Sequence, residues 1–442
     1  MKGLLVFILV TGLLFSCARD NTVQISGRME NGDSIVSIWV DDSIYTFPVD
    51  KNNFFSGEIA LSHNAYATLL HNSLNLYLSP GEDLEIYVNA LNFSGSLYFR
   101  GSLGGINSYL KEQEVAIFFD REYYNLNEQD FVRKMRDLMD EKTKLLEAKN
   151  FDESFTRLEK QRIGYTIAAR ASFYPIYHQK LNPDKNYKPG REFRQFMASF
   201  PLNNDDLFGS KDYRTFLLNY IYMQGTWIDE GNYSSQIADY VLSSITNPAI
   251  RDFLLMEIVT RYIWENNGLV GADYLLSVFR KECSDKNKVA YMDKIIAQWA
   301  KIMPGKRAPD FTVIDRDRRN VSLKDFRGSY LYITVWTTWC VPCKSELPYL
   351  ELLQKEYYAR NIKFLTVAID APDSYEKWKT FLNHHPYAGL HTFADGNSEF
   401  AKDYMIISVP RFILIDPDGK IIDSNAPRPS GQIFQYLSAF DI

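Results

Sequence analysis

Cysteine and histidine are scarce in this sequence, which has only four cysteines and six histidines in 442 residues. Structural zinc sites usually combine two Cys or His pairs at matching spacing. The pair Cys340 and Cys343 has no such second pair, because the only histidines downstream, His384, His385 and His391, do not form one. We therefore expect no metal site, and no other cofactor.

Dense basic runs and long apolar runs are also missing. The formal net charge is -6, and no Lys/Arg-rich run is interleaved with aromatic residues. Nucleic acid is therefore not an expected partner. Downstream of residue 15, no apolar stretch approaches the ~20 residues that a membrane-spanning helix needs. Only the N-terminus is expected to contact lipid.

The first residues have the pattern of a secretion signal. Lys2 precedes an apolar run over residues 4–15, and the small residue Ser16 precedes Cys17. Residues 14–17, Leu-Phe-Ser-Cys, resemble the lipobox of bacterial lipoproteins, in which the peptide is cut before the cysteine and the thiol is acylated. The sequence thus predicts a lipoprotein signal peptide over residues 1–16 and a lipid anchor at Cys17.

Two alternatives to the lipid anchor remain. The run could be a membrane-spanning anchor, although it is several residues shorter than a bilayer core requires. A plain signal peptide cut near Ala18 would instead release a soluble protein.

The chain is too long for one hydrophobic core, since single cores stop growing at ~250–300 residues. Residues 17–102 alternate apolar and polar side chains between turn clusters, which predicts a small all-β domain, an antiparallel sandwich or open barrel. Residues 103–302 repeat apolar residues at three and four positions, which predicts an all-α region. Two prolines and a glycine in residues 303–309 mark a boundary, and 303–442 has a βαβ-like pattern.

Cys283 lies in a charged segment of the helical region, with no second cysteine near it in sequence. We interpret it as a structural or partly buried free thiol. A role as a resolving partner for Cys340 is the alternative.

The residues with the clearest chemistry are Cys340 and Cys343. An apolar run over residues 330–335 predicts a strand, and the pair opens a helical pattern directly after it. The unpaired N–H groups and dipole of a helix start favour a thiolate at Cys340 and lower its pKa. We expect Cys340 to be exposed and nucleophilic, Cys343 to be shielded and resolving, and exchange to proceed through a mixed disulfide at Cys340.

Residues 339–343, Trp-Cys-Val-Pro-Cys, and residues 308–311, Ala-Pro-Asp-Phe, resemble the TlpA/ResA branch of the thioredoxin superfamily. The resemblance implies a C-terminal α/β thioredoxin fold with protein-disulfide oxidoreductase activity. In thioredoxin a buried aspartate lies six residues before the first cysteine, where this chain has Thr334. Members of the branch carry instead a glutamate three residues after the second cysteine. This implies proton transfer by Glu346, for which the alternative is a solvated first-turn residue.

The resemblance also implies a cis-proline beside the disulfide. Residues 409–416 match that position, with Pro410 as the cis residue and the backbone of Val409 available to a substrate chain. Trp339 is expected to contact the substrate as well. The alternative is an ordinary trans-proline at the entry of a strand.

Two other functions compete with disulfide exchange. A peroxiredoxin-like peroxidase would share the fold and the 308–311 motif, and Thr337 matches its threonine. However, Ile333 replaces its usual proline. The chain could also be an envelope binding protein with a secondary thioredoxin domain, since its N-terminal half resembles regions found in lipoproteins of Bacteroidota.

The direction of exchange depends on what separates the cysteines. Val341 and Pro342 lack the histidine that strong oxidants of the superfamily carry, which favours a reductant. The expected partners are protein thiols and disulfides of the cell envelope, on the periplasmic side of the membrane. By resemblance, cytochrome c maturation and redox homeostasis are candidate roles. A reductant in an oxidising compartment also needs a membrane electron donor.

Overall fold

The computed structural model describes residues 21–41, 43–116, 121–183, 187–225 and 233–442. The predicted signal peptide and Cys17 lie outside these residues. The expected order of an N-terminal β region, a central helical region and a C-terminal α/β thioredoxin fold is confirmed. The described residues pack into two compact units. The first contains the residues up to 225 together with Ser244–Ile250, and the second contains residues 233–243 and Arg251–Ile442. The boundaries at 102 and 302 stay predictions.

The first unit begins with two four-stranded sheets. Its strands are β1 (Thr22–Glu30), β2 (Ile35–Val40), β3 (Ser43–Pro48), β4 (Phe54–Ala60), β5 (Ala65–Leu69), β6 (Leu74–Leu78), β7 (Asp83–Asn89) and β8 (Tyr98–Arg100). The strand orders are β4-β1-β7-β8 and β3-β2-β5-β6. Burial alternates along β1 and β7, as the apolar-polar alternation predicts. The expectation of an entirely antiparallel arrangement was wrong, because β1 and β7 pair in parallel.

The helices of the first unit are α1 (Phe93–Ser96), α2 (Gly104–Ala116), α3 (Glu128–Glu147), α4 (Glu153–Ala171), α5 (Tyr174–Leu181), α6 (Arg191–Ala198) and α7 (Lys211–Gly225). They follow the sheets, except that α1 lies between β7 and β8. Asn127 begins α3 by accepting a hydrogen bond from the backbone N–H of Asp130. On α4, the buried Arg162 donates two 2.7 Å hydrogen bonds to Glu159. Tyr66 of β5 also donates to Glu159, so this network fixes α4 against the sheet.

The helices that lead into the second unit are α8 (Tyr233–Ser244), α9 (Pro248–Asn266), α10 (Asp273–Glu282) and α11 (Lys286–Trp299). Asp252 on α9 is buried and accepts hydrogen bonds from the backbone N–H groups of Ser284 and Asp285. The side chain of Asp285 in turn caps the first turn of α11. These contacts fix the turn between α10 and α11 against α9.

A seven-stranded sheet forms the centre of the C-terminal region. Its strands are β9 (Thr312–Asp315), β10 (Asn320–Ser322), β11 (Tyr330–Trp336), β12 (Ile362–Ala368), β13 (Leu390–Phe393), β14 (Arg411–Ile415) and β15 (Ile421–Asp423). They lie in the order β10-β9-β13-β12-β11-β14-β15, with β11, β12 and β13 parallel. The helices are α12 (Val341–Glu356), α13 (Tyr375–His384), α14 (Glu399–Asp403) and α15 (Ile433–Leu437).

Both faces of this sheet are buried. Along β14, Phe412 and Leu414 pack in the same apolar cluster as Cys340 and Cys343. Ile413 and Ile415 belong to the cluster on the opposite face, since successive residues of a strand face opposite sides. Among the described residues, none of the helices has the length and apolar character that crossing a membrane requires.

Candidate active site

The redox pair lies where β11 ends and α12 begins. Cys340 is the N-cap residue of α12, with extended backbone angles, and its Sγ accepts a hydrogen bond from the N–H of Cys343 at 3.2 Å. Pro342 lies in the first helical turn, where a backbone N–H would have no partner within the helix, so the lack of one in proline costs no hydrogen bond. The sequence prediction of a strand followed by a CxxC helix start is therefore confirmed.

The two cysteines are joined by a disulfide, with their Cα atoms 5.3 Å apart. Both sulfur-bearing residues are buried, Cys340 with 5% and Cys343 with 1% of its surface exposed. The expectation of an exposed Cys340 was therefore wrong for this disulfide form. The cysteines pack into the apolar cluster beneath the helix start, while their neighbours Trp339 and Val341 are 67% and 68% exposed.

The loop before β14 covers one side of the pair. The peptide bond between Val409 and Pro410 is cis, as the resemblance implied. The carbonyl oxygen of Val409 lies 3.9 Å from Sγ of Cys340. Because a disulfide sulfur carries no proton, this is a contact and not a hydrogen bond. The structure thus places the Val409 backbone next to Sγ of Cys340.

Glu346 lies on α12 and is buried, with 4% of its surface exposed. Its carboxylate accepts hydrogen bonds from the backbone N–H of Ser430 at 3.0 Å and from the Ser430 hydroxyl at 2.8 Å. Arg428 lies 3.7 Å from the same carboxylate. The alternative of a solvated first-turn glutamate is therefore wrong, because the loop before α15 covers this residue.

Tyr332 connects the same loop to β11. Its hydroxyl donates to the carbonyl oxygen of Pro427 at 2.7 Å. Burial raises the pKa of Tyr332 well above its usual value, and the nearby carboxylates of Glu346 and Asp423 raise it further. Tyr332 is therefore a hydrogen-bond donor that fixes the loop, and it does not compete as a proton source at neutral pH.

Asp370 is a site residue that the sequence reasoning missed. It is buried after the end of β12, and its carboxylate accepts hydrogen bonds from the backbone N–H and the hydroxyl of Thr338. Thr338 lies two residues before Cys340. Because β11 and β12 are parallel, their carboxyl ends meet at one edge of the sheet, where sites of α/β folds form. An acidic residue directly after an apolar strand was the signal available.

Arg411 was missed as well. It follows the cis bond and is fully buried. Its Nε donates to the carbonyl oxygen of Ser424, its Nη2 donates to that of Asn267 at 3.0 Å, and its Cζ lies 5.5 Å from the ring centre of Trp299. Burial lowers its pKa to about 10, an effect that Asp423 partly opposes. The one arginine in an otherwise apolar strand was the sequence signal.

Cys283 lies in the second unit and is a free, buried thiol. Its Sγ is 3.7 Å from the carbonyl oxygen of Asp285. Burial and the nearby Asp252 raise the pKa of this thiol to about 11. A thiol of this kind is poorly nucleophilic at neutral pH, which agrees with the structural interpretation.

Three comparisons bear on identity. The sequence model of the AhpC/TSA family matches residues 304–424. The thiol-disulfide oxidoreductase ResA of Bacillus thuringiensis is 33% identical over 134 residues, which cover 30% of this chain and 76% of that protein. ResA of Bacillus subtilis is 26% identical over 121 residues, covering 27% of this chain and 66% of that protein.

Among solved structures, the thioredoxin domain of a thiol-disulfide oxidoreductase from Bacteroides vulgatus is 26% identical. The match covers 32% of this chain and 99% of that domain, with a TM-score of 0.29. The sequence match to the Bacillus thuringiensis protein carries the assignment, since that protein is 33% identical and the match spans three quarters of it. The family match at residues 304–424 contains Cys340 and Cys343. With its redox pair at the head of α12 and a cis-proline beside it, this chain belongs to the ResA family of thioredoxin-like thiol-disulfide oxidoreductases.

Proposed function

We propose that the protein is a reductant of protein disulfides in the cell envelope. The observation that supports disulfide exchange is the position of Cys340 at the N-cap of α12, with the Cys343 N–H directed at its sulfur; the direction of exchange rests on the residues between the cysteines. In the reduced form this donor and the helix dipole, equivalent to about half a positive charge, stabilise a thiolate at Cys340. A stabilised thiolate is the attacking group in disulfide exchange.

The exchange proceeds in two displacements. The Cys340 thiolate attacks one sulfur of a partner disulfide, forms a mixed disulfide and expels the other partner sulfur as a thiolate. The Cys343 thiolate then attacks Sγ of Cys340, closes the internal disulfide and releases the second partner thiolate. Two electrons pass from the cysteine pair to the partner, and the described disulfide is the product state.

Glu346 is proposed to take up the proton that Cys343 loses before the second displacement. Its burial on the same helix and its hydrogen bonds from Ser430 support this role, because they hold the carboxylate in one orientation. The exposed ring of Trp339 and the backbone of Val409 are proposed to contact the partner chain around the mixed disulfide.

The proposed direction of transfer rests on the residues between the cysteines. Val341 and Pro342 offer no charged or imidazole group to stabilise the reduced form beyond what the helix start supplies. Among CxxC oxidoreductases, potentials span ~150 mV, which corresponds to ~7 kcal/mol for two electrons. We place this protein at the reducing end of that range.

The equilibrium potential against glutathione tests the direction. A value near ~-270 mV, that of thioredoxin, is expected, and a value above ~-150 mV would show an oxidant instead.

The mechanism is tested by trapping the mixed disulfide. Cys343→Ser should accumulate a mixed disulfide with a protein substrate, whereas Cys340→Ser should form none. Peroxide-dependent turnover that equals disulfide turnover would favour the peroxidase alternative.

The envelope location is proposed from the signal pattern that ends at Cys17, which lies outside the described residues. Lipid attachment there would hold the redox domain at a membrane surface, facing the periplasm, within reach of a membrane electron donor. Apocytochrome c and other envelope proteins with paired thiols are the proposed partners. Radiolabelled fatty acid should be incorporated into the wild type and not into Cys17→Ala. The Cys17→Ala variant should also remain active and be found outside the membrane fraction.

A further inference from the structure

The end of α9 is bonded to the loop that carries the cis bond. The side-chain oxygen of Asn267 accepts a hydrogen bond from the hydroxyl of Ser408 at 3.3 Å, and its side-chain nitrogen donates to Asn425 at 3.2 Å. The side chain of Asn425 donates to the carbonyl oxygen of Asn266 at 3.3 Å. Residues of the helical region are thus part of the surroundings of the redox pair, although they precede the family match at residues 304–424.

The backbone of Asn267 explains why its side chain is available for this contact. Its φ of +47° ends α9 in the left-handed conformation that asparagine tolerates. The N–H of Gly268 then donates to the carbonyl oxygen of Ile263 at 3.1 Å, which satisfies the helix end. Because the backbone caps the helix, the amide side chain is left to bridge Ser408 and Asn425.

The backbone carbonyl of Asn267 makes the second connection. It accepts from Nη2 of the buried Arg411 at 3.0 Å. Ser408 and Arg411 flank Val409 and Pro410 in sequence, and both are hydrogen-bonded to Asn267, the residue that follows α9. The intervening segment holds the Val409 carbonyl oxygen 3.9 Å from Sγ of Cys340.

We propose that Asn267 is a positioning residue for protein substrates. By holding Ser408 on one side of the cis bond and Arg411 on the other, it fixes the backbone of Val409 in the orientation that a partner chain needs for pairing. This inference rests on the proposed disulfide exchange. A partner polypeptide depends on that backbone, whereas a small aromatic disulfide needs only access to the sulfur.

The variant Asn267→Gly, made in the full chain, tests the inference. Glycine accepts the positive φ and removes only the side-chain bridge. Asn150→Gly is the matched control, because Asn150 also has a positive φ, of +51°, and is exposed after the end of α3 in the first unit. Each variant is assayed with insulin disulfides and with 5,5′-dithiobis(2-nitrobenzoate), and its equilibrium potential against glutathione is measured.

For Asn267→Gly, the ratio of kcat/KM for insulin to that for the small disulfide should fall about tenfold, which corresponds to 1.4 kcal/mol. The change should lie in KM, and the potential should stay at the wild-type value. Asn150→Gly should match the wild type. Ser408→Ala removes the other partner of the bridge at an exposed position, so it should lower the same ratio even where Asn267→Gly folds poorly.

Two results would overturn the inference. In the first, Asn267→Gly and Ser408→Ala both keep the wild-type ratio of kcat/KM for insulin to that for the small disulfide. In the second, the variants lose activity on both substrates in equal proportion. In either case a wild type active on insulin leaves the proposed reductase function standing. A wild type inactive on both disulfides overturns the proposed function itself, and the inference with it.

Discussion

Thr338 donates its backbone N–H and its hydroxyl to one carboxylate, that of Asp370, at 3.0 Å and 2.6 Å. Both residues are buried, and the bonds join the end of β12 to the turn that leads into Cys340. The turn that leads into Cys340 is therefore bonded to a side chain 30 residues downstream of that cysteine in sequence.

Asp370→Asn should lower the free energy of unfolding by about 1–3 kcal/mol and slow disulfide exchange, because the amide nitrogen is a donor that faces the donors of Thr338. Chemical denaturation and insulin reduction measure the two effects. Asp373→Asn is the control, since Asp373 is exposed in the following turn. Wild-type rates in Asp370→Asn would show that the bond does not position Cys340.

Glu346→Gln should slow the release of the partner from the mixed disulfide by about 100-fold, the lower limit for general acid–base catalysis. Glutamine cannot take up the proton of Cys343, whereas the first attack by Cys340 should keep its rate. Stopped-flow tryptophan fluorescence separates the two steps. Glu351→Gln, on the same helix and paired with Lys355, should behave as the wild type. Equal slowing in both variants would contradict the role.

Cys283 should resist alkylation in the folded protein. Its pKa of about 11 and its 1% exposure leave little accessible thiolate at pH 8. After mild reduction, iodoacetamide should label Cys340 first, and mass spectrometry should find Cys283 modified only after denaturation. Rapid native labelling of Cys283 would instead support the alternative of a resolving thiol.

His391 should make stability depend on pH. Burial lowers its pKa below the usual 6.5, and the contact with the Tyr387 carbonyl opposes this only in part. The unfolded chain therefore binds the proton first, so stability is full above about pH 6.5 and is lost as pH falls through the folded-state pKa.

The denaturant concentration at the unfolding midpoint should accordingly decrease when the pH is lowered from 7.5 to 5.5. His391→Gln should show a smaller fall, whereas His384→Gln, which changes an exposed residue, should keep the wild-type dependence. An unchanged pH dependence in His391→Gln would assign the effect to other groups.

Local features of the C-terminal region could be predicted from the sequence. The CxxC helix start depends on residues adjacent in the chain. The cis-proline could be expected only from the family resemblance. The turn between β14 and β15 places Gly419 at a φ of +80°, a conformation that glycine adopts without strain. Sequence alone could also indicate the fold class, because the periodicity changes from two to three or four and then to a βαβ pattern.

What could not be predicted depends on contacts between distant residues. Asp370 and Thr338 meet because β11 and β12 are parallel neighbours. The βαβ pattern is consistent with parallel strands, but it does not say which side chains after the two strands bond to each other. The burial of Cys340 follows from packing beneath the helix start and not from its position in the motif. The parallel pair of β1 and β7 was missed for the same reason, since alternation along a strand does not name its neighbour.

Arg411 of the C-terminal region lies over the ring of Trp299 in the helical region, so its surroundings depend on residues outside the family match. Recombination that transferred only residues 304–424 would carry the guanidinium into a new chain without the indole and the Asn267 carbonyl that accompany it. The guanidinium would keep its hydrogen bond to the Ser424 carbonyl oxygen and lose the other two contacts, which would destabilise the buried charge. The environment of this buried guanidinium therefore includes residues at the end of α9 and on α11, upstream of the family match at residues 304–424.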